Sequence, residues 1–158
     1  MSWDRSTSMR VADMQRTMQQ IGRDQAALMI FVLAWTEDLG EDASEMGILL
    51  FLVILRAFQK TSPKKIRMIK PAKIEAALAS NEKFLANFEQ ADDRFVERAA
   101  EIGTSRQPYL FQFVTEVLMQ EPDDPDAPHL SPEEQGQLFL TLKTVIDVLD
   151  EAVSKQPQ

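Results

Sequence analysis

Two apolar runs, Ala26 to Trp35 and Met46 to Leu55, lie ten residues apart, and the stretch that joins them carries five acids. Each run is ten residues long, where a helix that crosses a bilayer needs about 20. Two such rods joined by a charged turn are expected to be interior helices of a water-exposed domain, with no transmembrane span. Nowhere does clear apolar–polar alternation stand between hairpin turn signals, and only five glycines punctuate the chain, so strands have little to form from. The expectation is an all-α fold: a single helical domain over 1–158, built as a bundle of five or six helices around two very apolar central helices at 24–38 and 43–60.

The flanking sequence supplies one-sided helices to cover that pair. Val11, Met14, Met18, Ile21, Gln25, Leu28, Val32 and Trp35 follow a 3-4-3-4 spacing, the period of a coiled-coil seam. Gly22 marks a possible break there, with Asp24 as cap of the second piece. Residues 1–22 then read as an N-terminal helical arm, and Val11, Met14, Met18 and Ile21 as a seam that could zip to a second copy. Gly40 is suited to a left-handed position after a helix end. Asp42 to Glu45 resembles a capping box for the next helix. Ser62-Pro63 and Lys70-Pro71 are two further starts, because proline is favoured in the first turn. The second opens a helix reaching toward 102, and Pro108 lies in the start of another at 106–120. Residues 121–130 form an acidic, proline-rich loop. Ser131-Pro132-Glu133-Glu134 is the strongest local signal, a capping box that opens a helix over 132–154 with Leu138, Leu142, Val145 and Leu149 as its seam.

Charge is unevenly distributed. The chain carries a net −8, yet Arg56 to Lys73 holds seven basic residues and no acid, leaving −15 for the remainder. A chain of this overall sign is a poor general polyanion binder, but a local anion site is allowed. Lys60, Lys64, Lys65, Arg67, Lys70 and Lys73, interleaved with Ile66, Met68 and Ile69, are therefore the candidate partner-binding residues. Two readings compete: the cations pair with the protein's own acids, or they form a surface for an acidic protein partner. Nucleic acid or another anionic ligand at 56–73 is the less favoured form of the second reading, since no convincing recognition helix accompanies it.

Catalytic chemistry is poorly provided for. The chain has no cysteine and one histidine, so common nucleophile–base pairs are largely missing. His129 lies among Asp123, Asp124 and Asp126, but that spacing matches no calcium loop. The acids Glu89, Asp92, Asp93, Glu97 and Glu101 recur at helical spacing within 82–102, an arrangement that a magnesium-dependent all-α nucleotide hydrolase could use. Arg94 and Arg98 interleave with them, which favours a solvated face. No metal, cofactor or catalytic set is expected. The N-terminal stretch is polar and does not read as a secretory leader, and the lack of cysteine fits a reducing, cytoplasmic setting. The sequence thus points to a non-catalytic interaction or scaffold protein, homodimeric, with a basic docking segment at 60–73.

Overall fold

A computed structural model describes residues 3–89, 108–119 and 130–155. The described residues form six helices and no strand: α1 (Trp3–Asp24), α2 (Ala26–Thr36), α3 (Glu41–Thr61), α4 (Pro71–Glu89), α5 (Pro108–Met119) and α6 (Pro132–Ser154). The all-helical bundle expected from the sequence is what the chain adopts. No described helix is long and apolar enough to cross a membrane.

The helix at the centre is α6, rather than the two apolar rods. It packs against α2, α3, α4 and α5, and its residues from Leu138 to Ile146 are buried on every side. The apolar rods occupy one-sided positions. α2 buries Leu28, Phe31 and Val32 but leaves Ile30 67% exposed, and α3 buries Leu50, Phe51, Ile54, Leu55 and Phe58 but leaves Leu49 51% exposed. α6 tolerates the centre because its polar side chains are satisfied in place. The Thr141 and Thr144 hydroxyls donate back to the carbonyls of Gln137 and Leu140, each at 2.8 Å. The Lys143 ammonium donates to Asn81 Oδ1 at 2.8 Å and to Asp147 Oδ2 at 2.9 Å. Asn81 completes the set by donating to Thr144 Oγ1 and Asp147 Oδ2. No buried side-chain nitrogen or oxygen among the described residues lacks a partner, so the usual cost of burying such groups is offset.

The local start and stop signals fare unequally. The α6 capping box forms in full: Glu134 N–H donates to Ser131 Oγ at 3.1 Å, and Ser131 N–H donates to Glu134 Oε1 at 3.0 Å. Glu134 does more than the motif requires, since its other oxygen accepts from Gly40 N–H at 3.1 Å and ties the α2–α3 turn to the start of α6. Backbone N–H groups of Ser131 and Gly40 hold its carboxyl below the ordinary carboxylate range. The box expected at Asp42 to Glu45 does not form; α3 begins two residues earlier, with Gly40 as its cap and Glu41 and Asp42 in its first turn, where the helix dipole favours acids. Gly40 has φ −58°, so its left-handed role is not used. The break in the first apolar seam falls at Gln25, three residues beyond Gly22, and Asp24 does not cap α2.

Candidate basic docking groove

The basic segment is not helical between Ser62 and Lys70. The turn expected to open at Ser62-Pro63 is absent; the Ser62 side chain instead donates to the Lys64 carbonyl. Within the segment Ile66 and Ile69 are buried, while Lys64, Lys65, Arg67, Met68 and Lys70 face solvent. Burial every third residue gives two apolar pegs on one side and leaves cations on the others.

Gln25 anchors the segment. It is only 2% exposed, at the break between α1 and α2. Its Nε2 donates to the Arg67 carbonyl at 3.0 Å and to the Ile66 carbonyl at 3.4 Å, while its Oε1 accepts from Ile69 N–H at 3.0 Å. An extended chain leaves backbone groups without helix partners; here a single buried amide supplies both donor and acceptor. The Ile pegs enter the core, and the cations are held outward.

This arrangement, with the end of α6, forms a groove of about 580 Å³. Its cations are Lys64, Lys65, Arg67, Lys70, Lys73 and Lys155. Met68, Ile69, Val148 and Ala152 line it with apolar surface, and Glu151 is the one carboxylate in the lining among the described residues. Five of the six sequence-predicted cations thus converge. Lys60 does not; it lines a second groove with Arg56, between α1 and α3. Sequence alone does not single out Lys155 and Glu151, because the fold brings them from the far end of the chain.

The reading in which the lysines pair with the protein's own acids holds in part. Lys65 pairs with Asp24 at 3.4 Å, and Glu151 takes Lys73 at 3.0 Å and Lys155 at 2.7 Å. Apart from the half-buried Asp24, these groups are substantially exposed, so each pair contributes about 0–1 kcal/mol. The hydrogen bonds of Lys155 and then Lys73 hold the Glu151 carboxyl below its ordinary range. Arg67 and Lys70 are exposed and have no ion-pair partner among the described residues.

The other candidates separate from this groove. Of the expected dimer seam, Ile21 is buried in the chain's own core and Met18 is half-buried; the side chains of Val11 and Met14 lie outside the described residues. The Glu89 side chain, residues Asp92, Asp93, Glu97 and Glu101, and the acidic segment 121–129 with His129 also lie outside them. Among the described residues no group of His, Cys, Asp and Glu is placed to hold a metal ion. No family model, curated protein or solved structure matches the chain.

Proposed function

We propose that this protein is a non-catalytic interaction module that docks an acidic segment of a protein partner in the groove between residues 64–70 and the end of α6. The observation that carries the reading is the convergence of six cations around an apolar lining with one carboxylate, on a chain whose net charge is −8. Such a field steers and retains an acidic partner while the rest of the surface repels it, which fixes where docking happens. A non-catalytic role agrees with the lack of cysteine and the single histidine, and the cysteine-free chain suits a reducing compartment such as the cytoplasm.

Fluorescence anisotropy of the full chain with labelled polyglutamate tests this. Binding at low salt that weakens as salt rises, and that disappears in the R67E/K70E double variant, is the expected result. Equal binding by that variant removes the groove from the reading.

Self-association is the second part of the proposal. Ile30, Leu33, Leu49 and Val53 are large apolar side chains exposed on α2 and α3, and covering them with a second copy would remove apolar area from water. With Ile21 committed to the core, α2 and α3 are better placed than the α1 seam to carry a homodimer. Light scattering should give a dimer mass for the native chain and a monomer mass for the I30K/L49K variant; a monomer at high concentration in the native chain ends this part.

A further inference from the structure

Resting on that docking reading, we infer that the groove selects an acidic peptide segment with a large apolar side chain among its carboxylates, and that Glu151 stands where one ligand carboxylate will bind. Charge alone does not account for the lining. Met68 is 50% exposed and Ala152 is half-buried, so these two, beside the buried Ile69 and Val148, give the groove its open apolar surface. A ligand with carboxylates only would dock over this surface and leave it wet. A leucine or phenylalanine between the carboxylates covers it, and the buried apolar area adds to affinity without salt dependence.

Glu151 shows how the rim receives a carboxylate. One of its oxygens, Oε1, accepts from both Lys73 and Lys155, two residues on different elements. It is an internal competitor for two of the six cations. Arg67 and Lys70 remain for the first carboxylates of an incoming segment, and Arg67 offers the planar fork that suits them. Four of the six cations, Lys64, Lys65, Arg67 and Lys70, follow one another along the extended segment, which favours a ligand with several separated charges. Among the described residues the lining holds no aromatic ring on which a base could stack, which favours peptide over single-stranded nucleic acid.

The experiment uses the full chain and four labelled probes: a short glutamate-rich peptide containing leucines, the same peptide with serine for leucine, the leucine peptide with glutamine for glutamate, and a single-stranded RNA oligonucleotide. The leucine–glutamate peptide is expected to bind about tenfold tighter than its serine counterpart. M68S should reduce that ratio by weakening the leucine peptide more than the serine peptide. E151Q, by freeing Lys73 and Lys155, should tighten both glutamate peptides several-fold. Equal binding of the leucine and serine peptides overturns the selectivity inference and leaves the docking reading standing. Weaker or unchanged binding in E151Q overturns the role given to Glu151. Binding of RNA with no binding of either glutamate peptide overturns the docking reading itself, as does binding of none of the four. All substitutions are at solvent-facing positions, and an unchanged melting temperature confirms that folding is not what the assay reads.

Discussion

α6 and the α2–α3 pair invert what their compositions suggest. Ala26 to Trp35 contains no charged residue, yet α2 leaves Ile30 and Leu33 in contact with solvent. The middle of α6 contains Thr141, Lys143 and Thr144, yet all three are buried with the leucines around them. Burial follows position in the bundle, and the position at the centre goes to a helix whose every side can be satisfied. Two threonines bond their own helix, and one lysine finds an amide and a carboxylate. The apolar rods need only one covered side each, and their surplus greasiness is left for solvent or for another molecule.

The comparison breaks most visibly under truncation. Leu142 is fully buried in α6, so L142A should destabilise the fold by about 2–5 kcal/mol through lost burial and the cavity left behind. I30A in α2, measured at a concentration where the chain is monomeric, should change stability by no more than about 0.5 kcal/mol, because the side chain is on the surface of one chain and alanine is a better helix former. Urea unfolding of the two variants decides it. Similar losses in both would mean that α2 is as central as α6. Next in size is N81A, which takes one partner each from Lys143, Thr144 and Asp147. An expected loss of about 1–3 kcal/mol reflects polar groups left short of bonds in the interior; a neutral result would show that the network does not hold the polar side of α6 in place.

A third test makes one substitution in each region. A Cβ added at Gly47 in α3 would come within 2.7 Å of Leu138 Cδ2 and 3.1 Å of Thr36 Cγ2, whereas one added at Gly136 in α6 would meet nothing within 4 Å. G47A should cost roughly 1–3 kcal/mol of overpacking, less the gain in helix propensity. G136A should stabilise by up to about 1 kcal/mol. Opposite signs in thermal unfolding locate the close approach of α3 to α6 at Gly47; the same sign in both would remove it.

The parts of this fold legible in sequence are those whose physics is local. Ser131, Pro132 and Glu134 specify the start of α6 within four residues, and Pro71 opens α4 as its position suggests. Misread features depend on partners far along the chain. The polar residues of α6 look like an exposed face until Asn81 is placed against them, more than sixty residues away. The extended conformation of 62–70 is held by Gln25, more than forty residues away, which no local propensity encodes. The candidate groove divides the same way. Its cations are visible as a run without acids, while Lys155 and Glu151 join them only because α6 lies beside the start of α4.

The smallest expected effect concerns the residue that joins the two regions. Glu134 accepts from Ser131 N–H at the start of α6 and from Gly40 N–H at the α2–α3 turn, and both bonds favour its ionised form. A carboxyl held below its unfolded value contributes stability that is complete above the unfolded value and is lost as pH falls through the folded one. Melting temperatures of the native chain should therefore fall on acidification by more than those of E134Q, which keeps one accepting oxygen for the two N–H groups and does not titrate. At neutral pH E134Q should be slightly less stable, and the two curves should converge in acid. Parallel curves would mean that the Gly40 link contributes nothing through charge, and that apolar contacts alone hold the turn between the rods to α6.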